Sequence, residues 1–348
     1  MKFAFRRFDL RLTHTWTIAS NVATGGKNIY PAVLVELRDD DGVVGVGESA
    51  PSSTYKENVD TAAAFLQRVD ASRLSFDDVA ASMAYIESLA PKDFSPKGAL
   101  NIALLDGAAQ KARQSVHEFL GLGFTEGKHV TSFTIGIDSP EMMRKKTREA
   151  EPFPVLKIKV GGPNDEQNIG AVRAEAPTKR LRLDANEGWK TKEEALAKLE
   201  WLARDPNIEF VEQPMPASAS RADYAWLKAR SPLPIMADES YINASHIDVA
   251  AECFHAVNVK LCKTGGVSRG FEALSIARKT GLKTMLGCMI ESSVLISAGA
   301  HLAELTDYLD LDGNVLITND PYRGVRTERG VMSFAGVEPK VGLQVTPR

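Results

Sequence analysis

Apolar and polar residues alternate along Lys2–Leu12 (KFAFRRFDLRL), the period of a strand with one face buried. A second apolar run, Pro31–Leu37, meets a third, Val43–Glu48, across Asp39-Asp40-Asp41-Gly42. Asp-Gly between two such runs predicts a hairpin. The period then lengthens. Lys56–Val69, Phe76–Leu89 and Ser95–Leu120 carry apolar residues three and four apart, with Asp, Ser or Pro near their starts, and predict three helices. Strands followed by helices predict a compact α+β domain over residues 1–127.

From residue 128 the pattern changes again. Short β-rich runs ending in polar residues, from Thr131–Ile135 and Leu156–Val160 through to Tyr308–Asp312, alternate with amphipathic stretches such as Thr191–Leu202 and Arg269–Thr280. The charged ends at 159, 184, 212, 238 and 260 lie 25, 28, 26 and 22 residues apart, one strand–helix unit each time. Eight strands at that period, with no hairpin turn among them, predict an α/β parallel barrel over residues 128–321. The Gly-rich turns and short runs of residues 322–348 are expected to leave the barrel and complete the first domain.

Composition narrows the class of function. The 348 residues are 44% hydrophobic, enough for a large core. Lys and Arg number 42 against 45 Asp and Glu, a formal net charge of −3 with no long block of either sign, so neither nucleic acid nor an anionic membrane is expected as a partner. The start lacks a signal-peptide pattern, and no stretch approaches the ~18 apolar residues of a membrane span. Cys253, Cys262 and Cys288 are too scattered for a disulfide framework. A cytoplasmic protein is expected. Nothing separates an oligomer interface from a solvated helix face, which leaves a homo-oligomer open.

Parallel barrels place their active sites where the strands end. The charged residues at those ends are Lys157 and Lys159, Asp184, Glu212, Asp238, Lys260, and Asp310 with Asp312. Strand geometry sends Lys157 and Lys159 to the same side, into the barrel mouth. Asp184, Glu212 and Asp238, on successive strands, converge, and three like charges in one cavity need a cation among them. Oxygen-only ligands suit a hard divalent ion, Mg²⁺ first. A carboxylate substrate bound there loses its α-proton readily when the metal and a nearby cation hold the enediolate charge. With lysines on opposite sides, one removes the proton and the other returns it, inverting a stereocentre. The base must be a neutral amine near pH 7, and Lys157 beside Lys159 is expected to lower that pKa. Lys263 is expected to be structural or exposed, and Glu239 to point away from Asp238.

The segments Lys157-Ile-Lys159, LRLDANEGW around Asp184, VEQPMP around Glu212, ADES around Asp238, NVKLCKTGG around Lys260, GCMIESS at 287–293 and DLDGN at 310–314 fall in order along the chain. Together they resemble the enolase superfamily, in its muconate-lactonizing-enzyme branch, and within that the dipeptide epimerases. A lysine base working with Mg²⁺ is a known pattern of that superfamily. The resemblance implies a (β/α)7β barrel capped by the N-terminal α+β domain, with Mg²⁺ on Asp184, Glu212 and Asp238. It implies Lys159 and Lys260 as the acid/base pair, with Lys157 assisting, and Asp310 and Asp312 as partners of a dipeptide's α-ammonium. Met289, in GCMIESS, is a further substrate-side candidate. The stretches Thr15–Tyr30 and Ser49–Glu57 would select side chains. Relatives that prefer Ala-Glu carry an arginine in the first of these. Lys27 is the only cation at that place in this sequence, and Arg323 in NDPYRG is a second candidate anchor.

The expected reaction is epimerisation of an L,L-dipeptide at its C-terminal residue, Ala-Glu or a related pair, with hydrophobic C-terminal residues next. Two other readings stand beside it. An o-succinylbenzoate synthase or muconate cycloisomerase would use the same metal and lysines but leave Asp310 and Asp312 without an ammonium partner. A Schiff-base aldolase barrel would need no metal. Gly45-Val-Gly47-Glu48-Ser49-Ala50 fits a dinucleotide fingerprint, but Pro51 stands where the required helix would begin. Gly265-Gly266 reads as a tight turn rather than a phosphate loop.

Overall fold

The computed structural model describes residues 1–348. Strands β1 (Lys2–Trp16), β2 (Lys27–Arg38) and β3 (Val44–Ser49) form an antiparallel sheet in that order. The β2–β3 turn requires its glycine, because Gly42 sits at φ +85°, while Asp39 Oδ1 accepts the Val43 N–H at 2.8 Å. One face of the sheet buries Val33, Val35 and Leu37 against α1 (Val59–Leu66), α2 (Val79–Leu89) and α3 (Phe94–Lys111). The helix expected over Ser95–Leu120 is in fact two. Arg113 turns to φ +56°, and Ser115 caps a short α4 (Val116–Phe119) by a reciprocal pair of hydrogen bonds with Glu118. Val116 is buried, so the apolar spacing runs across the break and conceals it.

The eight expected barrel strands all form: β4 (Phe133–Ile135), β5 (Val155–Lys159), β6 (Arg180–Asp184), β7 (Ile208–Glu212), β8 (Ile235–Ala237), β9 (Ala256–Lys260), β10 (Lys283–Gly287) and β11 (Tyr308–Asp310). They are parallel and hydrogen-bonded in sequence order. The Ser132 N–H donates to Leu309 O at 3.1 Å and Thr131 bridges Leu309, which brings the first strand back against the last. Helices α5 (Pro140–Glu149), α6 (Asp165–Glu175), α7 (Lys192–Leu202), α8 (Arg221–Lys228), α9 (Ile247–Cys253), α10 (Leu261–Thr264) with α11 (Val267–Lys279), and α12 (Ser293–Ala300) fill the seven connections. The largest apolar cluster of the molecule lies between strands and helices.

Helix α3 is buried on nearly all sides because it lies between the sheet and the barrel. This packing explains the dinucleotide-like glycines. A Cβ on Gly45 would fall 2.0 Å from Ala103 O, and one on Gly47 2.0 Å from Ala99 O. Gly265 and Gly266 take φ values of +102° and +101° in the turn that meets α3 on its other side. The last residues touch both halves. Val331 bridges Val130, and the Leu343 N–H donates to Asp106 Oδ1 in α3 at 2.9 Å. No helix is long and apolar enough to cross a membrane.

Candidate active site

The parallel register of β5, β6 and β7 aligns Lys159, Asp184 and Glu212 side by side at the carboxyl ends of their strands. Asp238 follows β8 directly. Oxygens of Asp184, Glu212 and Asp238 lie within 4.8 Å of one another, and all three side chains are fully buried. Neighbours aim them. Asn258 Nδ2 donates to Glu212 Oε1 at 2.7 Å, the Asn186 N–H donates to Asp184 Oδ1 at 3.0 Å, and Gln213 Oε1 accepts the Asp238 N–H at 2.9 Å. Glu212 Oε2 and Asp238 Oδ2 are buried, and what each meets is a lysine ammonium, Lys157 Nζ at 2.8 Å and Lys260 Nζ at 2.7 Å.

Four lysines surround this cluster. Lys157 Nζ lies 2.7 Å from Asp310, 2.8 Å from Glu212 and 3.0 Å from Asp184. Lys159 Nζ lies 2.6 Å from Asp184, and Lys260 Nζ lies 2.7 Å from Asp238 on the opposite side. Both β5 lysines thus face the mouth, as period two requires. Lys263 departs from expectation: it is buried, and from the first turn after β9 it donates to Asp238 O at 2.6 Å. Glu239 lines the mouth instead of turning out of it. Burial pushes Lys157 and Lys260 down, but the carboxylates around each outweigh it and hold both ammonium groups well above the ordinary range. The same pairs act on the acids. Burial raises Asp184, yet Lys157 and Lys159 bring it down to about 2, whereas burial and Asp184 push Glu212 up to about 7.

Asp310 and Asp312 stand at the end of β11. Asp310 takes hydrogen bonds from Lys157 at 2.7 Å and from Ser132 Oγ at 2.7 Å, and Asp312 Oδ2 accepts the Thr134 N–H at 2.6 Å. Burial raises Asp310, but Lys157 holds it below its ordinary value. Burial and Asp310 push Asp312 up to about 7.

These groups open on one cavity of about 70 Å³, lined by Lys159, Lys260, Asp310, Asp312 and Met289, and roofed from the N-terminal domain by Trp16, Tyr30 and Tyr55. Met289 Sδ lies 3.9 Å from Lys260 Nζ. Tyr55 Oη lies 3.5 Å from Asp238 Oδ1, and the Trp16 ring centroid 5.7 Å from Lys159 Nζ. Two of the sequence-predicted substrate residues are not brought in. Lys27 is exposed at the start of β2 and lines a neighbouring cleft, and Arg323 is exposed in a two-residue strand (Tyr322–Arg323) paired with Thr346–Pro347. Thr15–Tyr30 is less of a loop than expected, because β1 runs to Trp16 and a 3₁₀ turn spans Ala19–Thr24. Gln213 and Asn258 were missed for lack of any charge to mark them; Lys263, Trp16 and Tyr55 lie outside the strand ends.

Two families match the chain. The mandelate racemase / muconate lactonizing enzyme N-terminal domain matches residues 10–121, and the enolase C-terminal domain-like family matches residues 141–325. An L-Ala-D/L-amino acid epimerase from Pedosphaera parvula (strain Ellin514) is 57% identical over 345 residues, covering 99% of each chain. The substrate-liganded L-Ala-D/L-Glu epimerase from Bacillus subtilis superposes with a TM-score of 0.91 at 26% identity, covering 100% of this chain and 98% of that one. A dipeptide epimerase from Enterococcus faecalis V583, complexed with Mg and the dipeptide L-Leu-L-Tyr, gives 0.88 at 28% identity, with 99% of each chain covered.

Proposed function

The chain belongs to the mandelate racemase / muconate lactonizing enzyme family of the enolase superfamily, and from that premise we propose that it is a dipeptide epimerase. One of Lys159 and Lys260 takes the proton from one face of the C-terminal residue's α-carbon, and the other, as an ammonium, delivers its own proton to the opposite face, which inverts that carbon. The observation that carries this reading is the Asp310–Asp312 pair, buried in the same cavity as those two lysines. Two carboxylates beyond the metal cluster suit a cationic group on the substrate, and a dipeptide's α-ammonium is such a group. A lyase acting on an amine-free substrate has no use for Asp312, and uses Asp310 only as a partner of Lys157.

The donor set fits Mg²⁺: three fully buried carboxylates with oxygens within 4.8 Å of one another, and no sulfur or imidazole. Asp184, Glu212 and Asp238 would hold the ion. When bound, it supplies a Lewis acid for the charge that develops on the substrate carboxylate. Lys159 and Lys260 reach the triad from β5 and β9, so a carbon seated over it has an amine on each side. Lys157, locked among three carboxylates, keeps a positive charge beneath the site. Asp310 and Asp312 orient the ammonium end.

The test is incubation of the protein with L,L-dipeptides and Mg²⁺ in D₂O, read by mass and by separation of diastereomers. A subset of dipeptides should gain one deuterium and yield the L,D form, and EDTA should stop both until Mg²⁺ is restored. Exchange into no dipeptide, with turnover of an amine-free substrate instead, would move the assignment to a lyase.

A further inference from the structure

We propose that Trp16 is a specificity-determining partition, limiting the size of the reacting residue's side chain and separating it from a preformed apolar cavity that suits bulky, uncharged groups. The proposal rests on the epimerase reading above. Trp16 ends β1, and its ring centroid lies 5.7 Å from Lys159 Nζ. A side chain borne by the carbon that Lys159 reaches therefore meets the indole. On the far side of that ring lies a second cavity. Trp16, Thr134 and Leu316 are common to both.

The volumes explain why the partition matters. The catalytic cavity holds about 70 Å³ and its neighbour about 210 Å³. Neither alone reaches the roughly 300 Å³ of an ordinary small-molecule site; joined, they approach it. Leu12, Phe133 and Val315 give the second cavity its apolar wall. Its histidine and its lysine already have partners. His14 Nε2 lies 2.6 Å from Glu149, and Lys146 Nζ 2.9 Å from Asp138. A carboxylate-tipped side chain would find no unpaired cation there and would face Glu149, whereas a branched or aromatic one would bury apolar surface. Lys27 does not alter this, since it lines a different cleft.

The experiment compares kcat/KM of the wild type, Trp16→Ala and Trp16→Phe on L-Ala-L-Ala, L-Ala-L-Phe and L-Ala-L-Glu with Mg²⁺. In Trp16→Ala the ratio of L-Ala-L-Phe to L-Ala-L-Ala should rise about tenfold or more, the scale set by a few buried carbons. The ratio of L-Ala-L-Glu to L-Ala-L-Ala should not follow. Trp16→Phe should give a smaller shift in the same direction. Adding Val315→Trp to Trp16→Ala refills the second cavity and should reverse the gain. An unchanged ratio, an equal gain for L-Ala-L-Glu, or loss of activity on every dipeptide in both single variants would overturn the proposal, the last because Trp16 would then serve Lys159 and not selection. A wild type that exchanges deuterium into no dipeptide sinks the epimerase reading itself, whereas an active wild type with unaltered ratios in the variants sinks only the partition.

Discussion

Lys157 and Lys159 leave the same face of one strand, two residues apart, yet meet different company. Lys157 is fixed by three carboxylates, while Lys159 touches only Asp184 and faces the cavity with the Trp16 ring nearby. On the proposed reading, Lys159 and Lys260, which both line the cavity, are the amines that trade a proton with a bound substrate. Lys159→Ala and Lys260→Ala should each reduce epimerisation by about a thousandfold, and each should fail at a different half of the reaction. Deuterium exchange from the L,L and the L,D dipeptide, measured separately, checks this, and near wild-type epimerisation by either variant would refute it. The strand-end rule made this much legible in the sequence, because a parallel barrel delivers the last side chain of each strand to one place. It could not reach Lys263, which returns to Asp238 from the first helical turn after β9, nor Asn258, which points inward two residues before Lys260 and steadies Glu212. Trp16 and Tyr55 come from the other domain; the resemblance brought their stretches, Thr15–Tyr30 and Ser49–Glu57, over the barrel, but no local pattern picked out either residue. Lys27 was singled out as the only cation in the stretch where relatives carry an arginine, and Arg323 as a cation just after the eighth strand; neither lines the cavity.

Among the elements, β3 and α3 carry the contact that seats the N-terminal domain on the barrel. The run Gly45-Val46-Gly47-Glu48-Ser49 serves it residue by residue. The glycines admit the α3 backbone, the Val46 N–H donates to Asp106 Oδ2 at 2.9 Å, Ser49 Oγ and Ser95 Oγ lie 2.8 Å apart, and Glu48 Oε1 accepts the Ser292 N–H at 2.9 Å at the start of α12. Gly47→Ala would place a methyl 2.0 Å from Ala99 O, a clash with backbone that no rotamer relieves. A loss of about 3 kcal/mol is expected. Gly123→Ala, at a site with nothing within 4 Å, should stay within about 0.5 kcal/mol of wild type. Denaturant midpoints of the two variants decide the matter; equal midpoints would mean that α3 has room the geometry denies it. The same elements show where periodicity stops being informative. Alternation, short apolar runs and the 25- to 28-residue repeat between 159 and 238 located the three strands of the N-terminal sheet and the eight of the barrel, since burial imposes those patterns directly. The break at Arg113 depends on a left-handed residue and a capping box inside a continuous apolar stripe, and the stripe is what the period reports.

At the scale of the whole molecule, three distant parts of the chain meet at His301. It ends α12 of the barrel, donates through Nε2 to Leu343 O in the C-terminal segment at 3.1 Å, and through Nδ1 accepts the His117 N–H of α4 at 3.3 Å. His117 Nδ1 lies 2.8 Å from the same nitrogen, and Phe334 stacks on the ring with centroids 4.6 Å apart. Every hydrogen-bonding position of a neutral imidazole is filled, and a second ring proton would sit on the nitrogen that accepts the His117 N–H. Burial, with the His117 charge adding to it, lowers the His301 pKa to about 3. The folded state therefore refuses a proton that the unfolded chain accepts near pH 6.5, so the contribution of His301 is complete above that pH and is lost as pH falls towards 3. At pH 5 the difference is about 2 kcal/mol, from about 1.4 kcal/mol per pH unit. Buried acids work in the opposite sense, Glu48 raised to about 7 and Asp106 to about 6, so the bare pH profile mixes the two. His301→Gln separates them, because it keeps a donor for Leu343 O and an acceptor for His117 without the titration. Between pH 7.5 and 5 the wild type should lose about 2 kcal/mol more than this variant, measured by denaturant unfolding at each pH. Parallel losses in the two proteins would show that the junction does not exclude the proton.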